Sequence, residues 1–400
     1  MAFVHFINIL MYPTISDLLK DLFGFYLPLP VQTFGFFMAV SFAAAYYTTT
    51  SELKRKTAQG FLKPIQRKVI QNKAITATDY LSNVILGALL GYKGLEILLD
   101  YNALVQNPQA FILSAKGSWF GLMIGAAIAY YNTYKDADKV KGKPQKEVLE
   151  EVQPHELMWN ITAIAGIAGI LGAKVFHNLE YIDDLIADPI GALLSFSGLT
   201  FYGGLIVATF AVLYYTNKNK IPTKHMIDAA APGLMLAYGI GRIGCHLSGD
   251  GDWGIVNLAA KPDFISFIPD WAWSSSYPNN VIDEGVLIPG CEGPHCYMLP
   301  QPVFPTPLYE VFMAIGLFSI LWAIRKRVTI PGILFCIYLI VNGIERFSIE
   351  KIRVNSTYNI FGNAITQAEL ISTFMVIAGI VGIVILAKRN KTNEATQTTV

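Results

Sequence analysis

The chain has 400 residues, of which 53% are hydrophobic and 15% charged, and its mean hydropathy is +0.42. A soluble domain carries roughly a quarter charged residues, so this composition excludes an ordinary soluble protein and predicts a polytopic membrane protein. The formal net charge of +1 argues against a nucleic-acid partner, which would need a concentrated basic surface.

About nine stretches are predicted to cross the bilayer, because a span needs about 20 mostly apolar residues. They lie near residues 33–50, 79–99, 114–134, 157–177, 196–216, 227–247, 307–324, 331–349 and 369–387. The predicted fold class is therefore all-α, with one transmembrane domain over residues 1–389. Residues 390–400 are rich in Thr, Asn and Gln and predict a disordered cytoplasmic tail.

Alternate loops differ in charge. Loops 52–73 and 135–149 are rich in lysine, whereas loop 178–195 is acidic and loop 248–306 holds a single lysine. Basic loops stay on the cytoplasmic side of a membrane, so the N-terminus is predicted outside and the C-terminus inside. Loop 248–306, with three tryptophans, predicts an extracytoplasmic head on the outer leaflet.

Residues 78–135 resemble residues 155–218. Both copies hold a Gly-x-Lys triplet, Gly91-Tyr92-Lys93 and Gly172-Ala173-Lys174, and both continue into a span that opens on aromatic residues and glycine. This similarity predicts a duplicated two-span hairpin. Chance similarity between two Gly/Ala-rich hairpins is the alternative, and a repeat is also a feature of secondary transporters.

Polar residues at unusual depth collect at the predicted outer side. Arg242, Cys245 and His246 share one helix face, and Arg346, Glu350 and Arg353 share another. Charge at membrane depth is costly and marks functional candidates. Arginine forks bind phosphate, so the pattern predicts a phospholipid-headgroup pocket open to the outer leaflet. Local ion pairing or snorkelling is the structural alternative for each residue taken alone.

Two cysteines, Cys291 and Cys296, lie five residues apart in a polar loop. A local disulfide in an oxidising compartment is the first interpretation. A zinc site that includes His295 is the alternative.

Several motifs occur in the order known from one family. In chain order they are Phe201-Tyr202-Gly203-Gly204-Leu205-Ile206, Asp228-x-x-Ala-Pro232, Gly241-Arg242-Ile243-Gly244 followed by Trp253-Gly254, Leu308-Tyr309-Glu310 and Arg346-Phe347-x-x-Glu350-x-x-Arg353. Over residues 31–75 and 155–388 the chain resembles the prolipoprotein diacylglyceryl transferase family. That family has seven spans, so the resemblance implies that hairpin 78–135 is an insertion.

The resemblance implies a multi-pass enzyme of the bacterial inner membrane with its active site at the outer leaflet. Such an enzyme moves the diacylglyceryl group of phosphatidylglycerol to the lipobox cysteine thiol of a prolipoprotein signal peptide and releases glycerol phosphate. No metal or other cofactor is implied. The alternative is a divergent member that still binds phospholipid but has lost or altered the transfer chemistry.

The resemblance also implies site residues. The catalytic candidates are Tyr202, Arg346 and Glu350 from the resemblance, together with His246, which we add on chemical grounds. The substrate-binding candidates are Gly203, Gly204, Arg242, Cys245, Ser248, Asp250, Tyr309, Glu310 and Arg353. Of these, Arg242 is expected to bind the lipid headgroup, and Arg346 with Glu350 to hold the phosphate near the attacking thiol.

Some positions depart from the family pattern. Tyr202 stands where the family has histidine, Cys245 and Ser248 replace asparagines, and Asp250 replaces a glutamate. A tyrosine with its ordinary pKa near 10 is a poor general base at pH 7. The neighbouring His246 is therefore our hypothesis for the titrating group.

Overall fold

A computed structural model describes residues 11–106, 108–194, 200–360 and 363–398, and this part of the chain is mostly helical. The helices are α1 (Ile15–Phe23), α2 (Thr33–Ala58), α3 (Ala77–Leu99), α4 (Tyr101–Gln106), α5 (Pro108–Leu113), α6 (Trp119–Val140), α7 (Met158–Glu180), α8 (Ile182–Ala187), α9 (Pro189–Leu194), α10 (Phe201–Lys218), α11 (Thr223–Ser248), α12 (Asp270–Trp273), α13 (Thr306–Ile324), α14 (Ile333–Glu350) and α15 (Gln367–Thr398). The mostly helical fold agrees with the predicted all-α class.

The strands are short and form three antiparallel pairs in the described residues. They are β1 (Ile65–Gln71) with β2 (Lys146–Val152), β3 (Val286–Leu287) with β4 (Tyr297–Met298), and β5 (Thr357–Ile360) with β6 (Asn363–Thr366). The first pair joins the segment that follows α2 to the segment that precedes α7. Helices α3–α6 lie between these two strands in the chain.

Each predicted span overlaps a long helix, although residues 114–118, 157, 200 and 331–332 precede the long helices that follow them, and residues 196–199 lie outside the described residues. Among the described residues, four helices are long and apolar enough to cross a membrane by length and composition alone. They cover Ala77–Leu99, Pro154–Glu180, Thr306–Ile324 and Gln367–Thr392. The structure is that of a helical membrane protein, and the number of nine spans stays a prediction.

The expectation of a disordered tail differs from the structure. Helix α15 continues to Thr398, so most of residues 390–400 are helical, and residues 399–400 lie outside the described part. The physical reason is that residues 390–398 contain neither proline nor glycine. Nothing in this sequence ends the helix that the apolar span begins.

Helix α11 lies at the centre of the bundle between α2 and α13. A Cβ at Gly244 would lie 3.0 Å from the Phe37 Cβ of α2, and a Cβ at Gly239 would lie 3.0 Å from the Ala314 Cβ of α13. Small residues at these positions let helix backbones approach closely where no hydrophobic effect drives their association. The close packing fixes the face of α11 that carries Arg242.

The two predicted repeat copies have the same construction. In each, two long helices are joined through two short ones, α4 and α5 or α8 and α9. The Ser118 amide donates to Tyr92 O at 3.0 Å, and the Thr200 amide donates to Ala173 O at 3.1 Å. These bonds join equivalent positions of the two hairpins, and their origin by duplication stays a prediction.

Residues 249–305 form most of a head domain at the C-terminal end of α11. Its core contains Met11, Trp253, Tyr277, Leu299 and Val303. Cys291 and Cys296 are joined in a disulfide, as the first interpretation of the loop predicted. The zinc alternative is therefore wrong for this structure, because both thiols are consumed. His295 instead pairs through Nδ1 with Asp283 at 3.1 Å.

The disulfide predicts the number of reactive thiols. Under denaturing, non-reducing conditions, alkylation is expected to modify only Cys245 and Cys336, which are the free cysteines. After reduction, all four cysteines of the chain should react. Mass spectrometry of the intact protein measures both states. Four modified cysteines before reduction would contradict the bond.

Candidate functional site

Four charged side chains form a closed ion-pair network at the head end of α11. Arg242 Nε lies 2.6 Å from Glu310 Oε2, and its Nη1 also bonds Asp252. Arg353 bonds the same two acids, with Nη1 3.3 Å from Glu310 Oε1 and Nη2 on Asp252. Glu310 is fully buried. Each arginine therefore joins a membrane helix to the head.

Close backbone contacts hold the four side chains together. Gly254 forms a bridge to Arg353, and the Ile255 amide donates to Ile352 O at 2.9 Å. A Cβ at Gly254 would lie 2.4 Å from Ile352 O, so only glycine permits this approach. The Trp-Gly pair of the motif thus has a structural explanation: tryptophan fills the head core, and glycine admits the segment that carries Arg353.

Asp252 is the anion that the two arginines share outside the helices. Its burial by itself would raise the pKa of the Asp252 carboxyl, but Arg242 and Arg353 outweigh burial and hold this pKa below its usual value. The carboxylate is thereby kept ionised. Thr306 Oγ1 also donates to the Asp252 carbonyl at 2.7 Å, which fixes the turn against the start of α13.

Arg346 and Glu350 form a second pair beside this network. Arg346 Nη2 lies 2.8 Å from Glu350 Oε2, without hydrogen-bond geometry, and Asn355 Nδ2 donates to Glu350 Oε1 at 2.6 Å. Arg346 Nη1 is buried and has no hydrogen-bond partner among the described residues. Arg346 therefore has a buried donor available for an anion, whereas Arg242 and Arg353 are each held by two acids.

Tyr238 and Glu345 also belong to the site, and the sequence analysis missed both. The Tyr238 hydroxyl donates to Glu310 and lies 3.5 Å from Glu345 Oε1. Glu345 Oε2 is buried without a hydrogen-bond partner within the described residues. The available signals were positional, since Tyr238 lies one turn before Arg242 and Glu345 directly precedes Arg346.

Cys245 and Asp250 lie next to the arginine network. Cys245 Sγ lies within 4.8 Å of an Asp250 carboxylate oxygen and 3.8 Å from Arg242 Nη1. Burial raises the pKa of Asp250, and the nearby charge of Asp252 raises it further. A thiol and a carboxylate of raised pKa thus lie side by side. Such a carboxylate accepts a proton more readily than an ordinary one.

Cys245, Asp250 and Asp252 have ligand atoms within 4.8 Å of one another, which is close enough to hold a metal ion. The Asp252 carboxylate, however, already binds two guanidinium groups. A cation there would have to displace these arginines or be repelled by them. The donor set therefore fits an arginine network better than a metal site.

Three of the predicted site residues contact other parts of the protein instead of the arginine network. His246 is buried, pairs through Nδ1 with the Tyr277 hydroxyl at 3.2 Å and stacks on Trp271 of the head. Ser248 is buried and donates to a carbonyl of its own helix. The Tyr309 hydroxyl donates to a head carbonyl at 3.3 Å. The side chains of His246 and Tyr309 thus bind the head to the bundle, and none of the three bonds the arginine network within the described residues.

Tyr202, Gly203 and Gly204 lie at the start of α10. Tyr202 is half-buried, and the charges that act on its hydroxyl belong to Arg346, Glu350 and Arg353, so it borders the site. A Cβ at Gly203 would lie 2.3 Å from the Phe176 Cβ, and one at Gly204 would lie 2.9 Å from the carbonyl oxygen of Gly169. The space beside these glycines is therefore filled by α7, and their contacts are with protein.

Ion pairs join three guanidinium groups of the site to three buried or half-buried carboxylates, those of Asp252, Glu310 and Glu350. The ion pairs between them match the charges one for one. Anion binding here depends on oriented N–H donors, above all Arg346 Nη1, and not on a large excess of positive charge. Such donors can stabilise charge that develops on a phosphate oxygen.

Comparison with known proteins identifies the family. The family model described as prolipoprotein diacylglyceryl transferase matches residues 108–385. The match begins inside the hairpin expected to be an insertion.

Among curated relatives, the phosphatidylglycerol–prolipoprotein diacylglyceryl transferase 1 of Clostridium perfringens is 27% identical over 71% of this chain and 96% of its own length. The transferase of the same name from Clostridioides difficile is 28% identical over 69% of this chain and 93% of its own length. The transferase of that name from Chlorobaculum tepidum is 26% identical over 72% of this chain and 92% of its own length. Because the family model covers well over half of the chain, this protein belongs to the prolipoprotein diacylglyceryl transferase family.

Proposed function

We propose that this protein transfers the diacylglyceryl group of phosphatidylglycerol to the lipobox cysteine thiol of a prolipoprotein and releases glycerol phosphate. The observation that carries the proposal is the convergence of Arg242, Arg346 and Arg353 at one end of the bundle, where one Arg346 donor has no hydrogen-bond partner in the part of the chain that the structure describes. The names of the curated relatives describe the same substrates.

The proposed reaction forms one bond and breaks one. The thiol sulfur attacks the glycerol carbon of the diacylglyceryl group, and the bond from this carbon to a phosphate oxygen breaks. The electron pair leaves with glycerol phosphate, which gains negative charge. Arg346 Nη1 is the donor that we expect to meet this charge, because it is buried without a hydrogen-bond partner in the described residues, whereas Arg242 and Arg353 each pair with two acids.

The attacking thiol must also lose its proton, since the thiolate is the nucleophile. Asp250 is our first candidate for the proton acceptor, because burial raises its pKa and its carboxylate lies within 4.8 Å of a thiol sulfur, that of Cys245, beside the arginines. His246 stays the alternative. Its Nε2 has no hydrogen-bond partner in the described residues, but its ring is enclosed by Trp271 and Tyr277.

We also propose that nine helices cross the bacterial inner membrane with the N-terminus outside, so that the site opens at the outer leaflet. Two observations support this orientation. The basic loops 52–73 and 135–149 lie at the span ends opposite to the head, where cytoplasmic loops are expected. The head beside the site contains a disulfide, which forms in oxidising compartments. Hairpin 78–135 would be a duplicated, inserted copy of 155–218.

The function is tested by rescue of a bacterium depleted of its own transferase. The wild-type chain is expected to restore growth and lipoprotein modification, and the Arg346→Ala variant is expected to fail. An expressed wild-type chain that gives no rescue would favour a member that binds phospholipid without transferring it. Immunoblotting of membranes shows that both chains are present.

Purified protein gives the magnitude for Arg346. Removal of one donor to a developing anion costs about 10²–10³ in kcat, so Arg346→Ala should lower kcat by this order and change KM less. Arg346→Lys keeps the charge but loses the fork and should recover only part of the rate. The exposed Arg389 supplies a matched control, and Arg389→Ala should behave as wild type. Equal kcat for the two alanine variants would reject this role.

The pH profile separates the two candidate proton acceptors. A base must be deprotonated, and burial raises the pKa of Asp250, so transfer should fall as pH drops, with a midpoint above the ordinary carboxyl range. Asp250→Asn should remove most of the activity, whereas His246→Gln should retain the acid limb. Asp263→Asn, on an exposed head residue, is the control. An unchanged profile in Asp250→Asn, with loss of activity in His246→Gln, would assign the role to histidine instead.

A further inference from the structure

A cavity of about 380 Å³ lies at the end of the bundle opposite to the Arg242 network. Its walls come from the C-terminal turn of α2 and the chain after it, from the first turn of α11, and from the chain that follows α13; they include Arg55, Gln59, Phe61, His225 and Lys326. His225 and Arg242 are separated by 17 positions on α11, or roughly 25 Å at the rise of an α-helix. The cavity and the candidate active site therefore lie at different faces of the membrane domain.

The acids near this cavity are already neutralised. Glu52 lies 2.7 Å from Arg55 Nη2 and 2.5 Å from Arg325 Nε. Asp228 accepts the amides of Gly332 at 2.7 Å and Phe335 at 2.9 Å.

Lys56 Nζ lies 3.8 Å from Asp228, so this lysine and aspartate balance each other in charge. Two arginines share the single carboxylate of Glu52. Positive charge from Arg55 and Arg325 is therefore left in excess at the cavity.

Two donors in the cavity wall are available to a ligand. His225 Nδ1 is buried and has no hydrogen-bond partner in the described part of the chain. Lys326 is exposed at the rim, and its amino group makes no ion pair with the residues that the structure describes. Phe61 stacks on the His225 ring, with 6.0 Å between ring centroids, and is half exposed. The wall thus offers a buried imidazole, a flexible ammonium group and an aromatic face.

This combination fits an anion with an apolar or glycerol-like attachment. Basic residues at a cytoplasmic helix end are sufficient to orient a membrane protein, but orientation requires neither a cavity nor a buried unpartnered imidazole nitrogen. We propose that this cavity is a second binding site, in which Lys326 and His225 hold a phosphate group. Basic pockets between helices on the cytoplasmic side are suited to anionic lipid headgroups. A free phosphate ion shares the same chemistry.

The site is separate from the transfer reaction. The residues that form it belong to none of the ion pairs around Arg242 and Arg346. A lipid here would come from the leaflet opposite to the one that supplies the proposed substrate, and binding can be measured whether or not the chain transfers a diacylglyceryl group.

The experiment uses the full chain in phosphatidylcholine vesicles that contain phosphatidylglycerol with a photoreactive headgroup. After illumination, mass spectrometry identifies the labelled peptides. Labelling is expected at peptides that contain Gln59, His225 or Lys326, in addition to any at the Arg242 end. A charge-assisted hydrogen bond supplies enough energy that the double variant Lys326→Glu, His225→Ala should lower labelling at the cavity about tenfold or more. Arg327→Glu, which changes the neighbouring basic residue outside the cavity, should not.

A second arm adds inorganic phosphate, with chloride at equal ionic strength as the control, and measures thermal stability. If phosphate raises the Tm of the wild-type chain and not that of the double variant, while no lipid label appears at the cavity, the ligand is a free phosphate. The single variant Lys326→Glu, at an exposed position, guards against misfolding of the double variant. Equal labelling and an equal phosphate response in the wild-type chain and Lys326→Glu would overturn the proposal.

Discussion

The fully buried carboxylate of Glu310 is the constraint on which the candidate site depends. A charge that is removed from water must be paired and hydrogen-bonded, because its desolvation costs several kcal/mol at least. Glu310 meets this requirement with Arg242, Arg353 and Tyr238, which come from α11 and from the chain after α14. One carboxylate thereby holds three parts of the chain in register, and the head is fastened to them through Asp252.

The same pairing determines how the site can recognise a phosphate. Arg242 belongs to the family motif, yet its guanidinium is paired with two acids and mainly holds α11 to α13 and the head. Arg346 differs because among the described residues it forms an ion pair with a single acid, Glu350, and one of its nitrogens has no hydrogen-bond partner there. Recognition therefore depends on the direction of one or two donors, and a displacement of α14 against α11 would change it.

Charged side chains fix both ends of α11 to neighbouring parts of the protein. Near its N-terminal end, Asp228 accepts amides from the start of α14 and lies near Lys56, which fastens three helices together. At its C-terminal end, Arg242 pairs with Glu310 of α13 and with the head. Small residues such as Gly239 and Gly244 between these ends allow close packing against the neighbouring helices. The helix is thus fixed at both membrane faces, each beside a proposed anion site.

The sequence by itself determined the features that depend on local pattern. Apolar length located the long helices, the repeat of Gly-x-Lys located the two hairpins, and a five-residue spacing indicated the disulfide of Cys291 and Cys296. Helical spacing also placed Arg346 beside Glu350. The tertiary structure alone decided what covers each helix face. Arg242 and His246 are four residues apart, yet the arginine contacts α13 and the head turn, whereas the histidine is enclosed by head aromatics. Spacing shows which side chains share a face, but their partners, like those of Tyr238 and Glu345, come from segments that are distant in sequence and meet only when the helices pack.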